Sequence, residues 1–192
     1  TMAYSFVALA ITGIFILFGK HFLMPIIGHA VYGIILYIFK NVHNLVGPIF
    51  TLSVIVFFGL MVKDNMPQKG DLAWLKSGGG IFGHVDAARF NAGEKIWFWA
   101  GVTILGMVVS GSGWVLDMIV PNMEYWRGTM QLANIIHGVA AILMTVMAMG
   151  HIYVGSIGME GALQGMKTGY VDEAWGKEHH ELWYNDVKSG KL

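Results

Sequence analysis

Eight histidines are the residues best equipped for chemistry in this sequence: His21, His29, His43, His84, His137, His151, His179 and His180. Three of them, His43, His137 and His151, fall in or at the edge of long apolar stretches. An ionisable side chain in such surroundings is costly and implies a function by default. His137 and His151 stand 14 residues apart in one apolar block. On a helix that spacing is about 21 Å along the axis and about 40° short of four full turns. Both rings then leave nearly the same face at two depths, as two stacked haems would require of a shared helix. A haem iron accepts axial nitrogens, and an iron held by two imidazoles is a low-spin electron carrier. A lone histidine inside a membrane often serves instead as a hydrogen-bonding residue between helices. The spacing, with His43 as a third ring, is what favours haem.

The elements that must position these rings are membrane helices. Only 12% of the 192 residues are charged, against about 25% in a soluble domain. Mean hydropathy is +0.58. The apolar residues run in blocks long enough for a span, which takes roughly 20 residues to cross a hydrocarbon core of about 30 Å. The blocks are Met2–Gly19, Phe22–Phe39, about Val42–Val62, Ile96–Val120 and Thr129–Ile157. There are no cysteines, which excludes thiolate metal sites, Cys-ligated iron–sulfur clusters and covalently attached haem. Net charge is zero and no basic tract invites nucleic acid. No nucleophile triad, phosphate-binding loop or pair of catalytic carboxylates is present.

Charge sets the topology. The 63–95 loop carries Lys63, Lys69, Lys76, Arg89 and Lys95, and the tail carries Lys167, Lys177, Lys188 and Lys191. The positive-inside rule assigns both to the cytoplasm. The expected architecture is therefore an all-α, polytopic membrane four-helix bundle over residues 1–160, with 161–192 as a cytoplasmic tail and both ends cytoplasmic. Residues 22–39 are expected to lie as a periplasmic interfacial segment. Thr1-Met2-Ala3-Tyr4 runs straight into an apolar helix with no signal peptide in view, which predicts a start inside the natural chain.

On that topology His43 opens the third block at its outer end, and His137 lies in the outer half of the last helix. Their matched depth lets them ligate one haem near the periplasmic face. His151 lies towards the cytoplasm. Its partner must come from an inward-facing end: the start of the first helix, or His84, His179 or His180 in polar segments. Asn91 stands where it can cap the helix that follows. Equally, Asn91 and Gly93 could line a polar pocket at the membrane surface for a quinone carbonyl. Glu178-His179-His180-Glu181 looks like a metal cluster, but adjacent histidines diverge on a helix.

Taken together, these residues resemble the gamma subunit of respiratory formate dehydrogenase, its membrane cytochrome b subunit. The motifs are Asn91-Ala92-Gly93-Glu94-Lys95 followed by Phe98-Trp99, the His137/His151 pair, His43 at 24 residues before Pro67, and Trp175-x-Lys177-x-His179-His180-x-x-Trp183-Tyr184. They cover nearly the whole chain. The resemblance implies two haem b groups: His43 and His137 on the periplasmic haem, and His151 on the cytoplasmic one. It also implies a fourth histidine two residues before Thr1, and a quinone site (menaquinone or ubiquinone) at Asn91 and Gly93. The implied partners are an iron–sulfur subunit with a membrane anchor helix and a molybdenum or tungsten formate-oxidising subunit, in a bacterial inner membrane. Formate oxidation itself would not occur on this chain. The alternatives are the cytochrome b subunit of a nickel–iron hydrogenase, which shares the paired histidines, and a haem-free scaffold or proton-conducting subunit.

Overall fold

The computed structural model describes residues 1–79, 82 and 85–191. Among the described residues the regular structure is entirely helical. The elements are α1 (Met2–Phe22), α2 (Met24–Met61), α3 (Asp71–Lys76), α4 (Ala92–Ile96), α5 (Leu105–Leu116), α6 (Arg127–Tyr153), α7 (Ala162–Thr168), α8 (Glu173–His179) and α9 (Glu181–Lys188). A π-helical segment, Trp97–Ile104, joins α4 to α5, and a second, Val154–Gly158, extends α6. Four helical runs are long and apolar enough to cross a membrane: Met2–Phe22, Met24–Met61, Ala92–Leu116 and Arg127–Gly158. Polar side chains such as Ser5, Thr12, Thr103 and Ser112 are buried, whereas Leu45, Ile55, Leu60, Ile135, Val139 and Val146 are exposed. This inverted pattern is that of helices facing lipid. The chain is a multi-pass membrane protein.

The second and third apolar blocks are not separate elements. Lys40-Asn41 interrupts the hydropathy but not the helix: α2 continues to Met61, and Asn41 Nδ2 donates to the Tyr37 carbonyl one turn back, 2.7 Å away. The backbone breaks instead at Gly28, with φ 79° and ψ 164°. Such a left-handed φ is open to glycine at no steric cost. From there to Met61 the helix is roughly 50 Å long, against about 30 Å of hydrocarbon.

The chain divides into two compact units, residues 1–59 with 102–145 and residues 60–101 with 146–192. In the first, Phe50, Val54, Val109, Ala140 and Met144 form the core, with Phe6, Leu9 and Leu105 packed against it. The start of α2 returns along α1: Phe15 meets Phe39 edge-on at 5.0 Å, and the Tyr32 hydroxyl donates to the Phe15 carbonyl at 3.4 Å.

In the second unit the tail folds back on the 85–91 segment. Leu182 N–H donates to the Ala87 carbonyl at 3.1 Å. His180 Nδ1 donates to the Ala88 carbonyl at 2.9 Å, and the Trp175 indole N–H donates to the Glu160 carbonyl at 2.8 Å. At the start of α4 the Lys95 ammonium is buried against both oxygens of Asp71, at 2.8 and 3.0 Å. Trp99 donates to the Asn65 carbonyl at 2.8 Å.

Candidate functional site

His43 on α2 and His137 on α6 face each other within the first unit. Their ring centres are 6.1 Å apart and their planes 72° apart. Each ring is held through its Nδ1 atom. Thr12 Oγ1 lies 2.7 Å from the Ala8 carbonyl and 2.8 Å from His43 Nδ1. His137 Nδ1 lies 3.0 Å from the Val109 carbonyl, which can only accept, and 3.1 Å from Ser112 Oγ, itself 2.6 Å from the Val108 carbonyl. The carbonyl makes Nδ1 the donor of His137 and leaves its Nε2 as a bare lone pair. A hydroxyl donates and accepts, so Thr12 can hold His43 in the same tautomer while its own hydrogen goes to Ala8. That is the tautomer a metal-binding imidazole needs, set by the bond its other nitrogen makes.

The residue after each hydroxyl is glycine. A Cβ at Gly13 would stand 3.3 Å from His43 Cε1, and one at Gly113 would stand 3.3 Å from His137 Cε1. The two rings therefore lean on bare backbone. Sequence reasoning found the histidines and missed Thr12, Ser112 and the Val109 carbonyl. The apolar helices hold three serine–glycine or threonine–glycine pairs, Thr12-Gly13, Ser110-Gly111 and Ser112-Gly113, and nothing in the sequence says which of them meet a histidine.

Residues 1–169 match the model of the prokaryotic cytochrome b561 family. The chain belongs to this family. It is similar to the formate dehydrogenase cytochrome b556(fdo) subunit of Escherichia coli K12, 28% identical, over 97% of this chain and 86% of that one. It is similar also to the nitrate-inducible formate dehydrogenase cytochrome b556(Fdn) subunit of the same strain, 26% identical over 79% and 71% of the two chains. A formate dehydrogenase cytochrome b556 subunit of Haemophilus influenzae is 24% identical over 80% and 66%.

A cytochrome b561 family member calls for b-type haem, and the first pair fits it. A metal bonded to two imidazoles at about 2.0–2.1 Å each holds the ring centres roughly 6 Å apart. The observed 6.1 Å separation meets that requirement.

His151, near the end of α6, has different company. Its ring lies flat on Trp97, with centres 4.5 Å apart and planes 3° apart. Of the partners open to it in sequence, His179 and His180 pack on Trp175 at 4.9 and 5.3 Å, and His84 lies outside the described residues. His180 is not the solvated tail residue expected. It is 4% exposed, because docking of α9 on Ala87 closes the segment over it.

Asn91 and Gly93 begin α4 beside a small cleft lined by Gln68, Asp71, Trp74, Asp86 and Leu182. Asn91 caps the helix: its side chain accepts from Glu94 N at 3.0 Å, and Glu94 Oε2 accepts from Asn91 N at 2.8 Å. This reciprocal pair is a capping box. A Cβ at Gly93 would stand 2.9 Å from Trp74 Cη2, so the glycine admits the Trp74 ring. Both positions thus have a structural job whatever else they do.

Proposed function

We propose that this chain is the membrane-anchoring di-haem cytochrome b subunit of a formate dehydrogenase, carrying electrons from a periplasmic iron–sulfur subunit to quinone near the cytoplasmic face. The observation that carries this reading is the His43/His137 pair, with ring centres at 6.1 Å and both Nδ1 atoms hydrogen-bonded. Likeness to three named formate dehydrogenase cytochrome subunits supports formate as the electron source. When bound, the haems supply one-electron redox chemistry; the protein supplies placement and tuning. His43 and His137 would hold one haem. His151 would ligate a second, 14 residues further along the same chain segment.

Asn91 and Gly93 would contact a quinone, menaquinone or ubiquinone, at the surface end of α4. Two electrons and two protons convert it to the quinol. Taking those protons from the cytoplasm while electrons arrive from outside would separate charge across the membrane. Residues 1–160 would form the membrane domain, with 22–39 at the periplasmic interface and 161–192 a cytoplasmic tail. The iron–sulfur subunit, with its own anchor helix, would link this chain to a molybdenum or tungsten subunit that oxidises formate.

The test is a formate-reduced minus oxidised visible spectrum of the native complex from the bacterial inner membrane, with haem quantified per copy of this chain. Two b haems, reduced by formate and reoxidised by added quinone, are expected. Reduction by hydrogen but not formate would move the chain to a hydrogenase, and absence of haem would overturn the proposal.

A further inference from the structure

Trp97 opens the π-helical segment between α4 and α5, and its environment is unusually restricted. One face of the indole covers the imidazole of His151, nearly parallel at 3°. The ring also lies over its own helix at Gly101. A Cβ there would come within 2.7 Å of Trp97 Cε3, 2.8 Å of Cζ3 and 3.2 Å of Met147 Cε. Real Cβ atoms do not approach so closely, so residue 101 must be glycine for the indole to lie where it does. Met147 stands one turn before His151 on α6. The indole is thereby held between the backbone at Gly101 and the ring of His151. π-Helical turns occur mostly as local insertions inside α-helices, frequently at functional sites, and this one begins at the residue that touches His151.

We infer that Trp97 is a positioning residue for His151, and that Gly101 provides the space it needs. The inference rests on His151 being a haem ligand, as proposed above. It identifies how the His151 ring, which has no hydroxyl anchor among the described residues, is oriented. A face-on neighbour fixes the ring plane yet covers neither nitrogen, because both nitrogens lie at the ring edge. It also affects the metal. The indole face is electron-rich and stabilises positive charge stacked on it. An imidazole bound to oxidised iron is more electron-poor than one bound to reduced iron. Trp97 therefore favours the oxidised state, and its loss raises the midpoint potential.

The test uses the native complex with Trp97→Leu, Trp97→Phe and Gly101→Ala. Electron paramagnetic resonance of the low-spin haems and a redox titration are the readouts. The haem held by His43 and His137 serves as an internal control for folding. Trp97→Leu is expected to shift the g-values of the other haem and raise its potential, with the control signal unchanged. Trp97→Phe should fall between Leu and wild type. Gly101→Ala should reproduce the Leu result with Trp97 still present, since the added methyl displaces the indole. Wild-type g-values and potential in both Trp97→Leu and Gly101→Ala would overturn the inference. Should Trp97→Leu remove both haems, Trp97→Phe decides: a shifted signal supports the clamp and an unaltered one overturns it. His151→Ala separates the two levels. If both haem signals survive it, the ligand assignment itself has failed, whatever Trp97 does.

Discussion

At the scale of single residues, what matters is which nitrogen of each imidazole is free. Thr12 and Ser112 do no redox chemistry, yet the Val109 carbonyl leaves Nε2 of His137 unprotonated, and the Thr12 hydroxyl is placed to do the same for His43. Hydrogen-bond partners of metal-bound histidines typically change metal affinity by about 10–100-fold when removed. Thr12→Val deletes the oxygen bonded to His43 Nδ1 and should show that full effect. Ser112→Ala leaves the Val109 carbonyl in place at 3.0 Å, and should show much less. Haem retained per chain during purification, followed by titration with free haem, measures both. Equal losses in the two variants would mean that the hydroxyls matter for packing and not for the tautomer. The histidines were legible in the sequence because ionisable rings inside apolar blocks are rare. Their anchors were not, because Thr12 meets His43 across 31 residues and Ser112 meets His137 across 25. That register belongs to helix packing, which no local pattern encodes.

At the scale of elements, apolar runs located the helices and caps set their ends. The fourth block read as Ile96–Val120, but the helical run is Ala92–Leu116. The capping box starts it one turn before the apolar residues begin. It ends where the Asp117 amide bonds back to Gly113 and Met118 takes a positive φ of 54°. Neither the π-helical turn nor the union of the second and third blocks was legible. The first sets Trp97 against Gly101 and His151, contacts that no local pattern encodes, and in the second two polar residues lower the hydropathy without ending the helix. The cap also separates two roles proposed for Asn91. An Asn-to-Ala change at an N-cap costs about 1 kcal/mol, whereas Ser caps as well as Asn and adds no charge to a buried site. Asn91→Ser should therefore unfold near the wild-type temperature, while its lost amide donor raises KM for quinone. Asn91→Ala should lower both stability and quinone turnover. Thermal unfolding of the complex beside quinone-reductase kinetics reads the two effects apart. Wild-type quinone kinetics in Asn91→Ser would leave Asn91 with capping alone.

At the scale of the whole molecule, the number of crossings is constrained by a contact as well as by hydropathy. The segment after the second span and the tail after the fourth are joined by backbone: Leu182 N–H meets the Ala87 carbonyl, and His180 meets Ala88. Segments in direct hydrogen bond lie on one side of a membrane, so an even number of spans separates them. The Ala92–Leu116 and Arg127–Gly158 helices supply two. Charge asymmetry, an independent property, is what the proposed cytoplasmic placement of that side rests on. Because the chain has no cysteine, single-cysteine labelling can test this cleanly. Met66→Cys, Ser189→Cys and Asn122→Cys place one thiol each in the loop, the tail and the connection between α5 and α6. A membrane-impermeant maleimide should modify Met66→Cys and Ser189→Cys in inverted vesicles alone, and Asn122→Cys in right-side-out vesicles alone. Reversal of all three would keep four spans and overturn the orientation, and with it the uptake of quinone protons from the cytoplasm. Labelling of Met66→Cys and Ser189→Cys from opposite sides would break the even count, and the docking of α9 on Ala87 would then have no place in the membrane-bound protein.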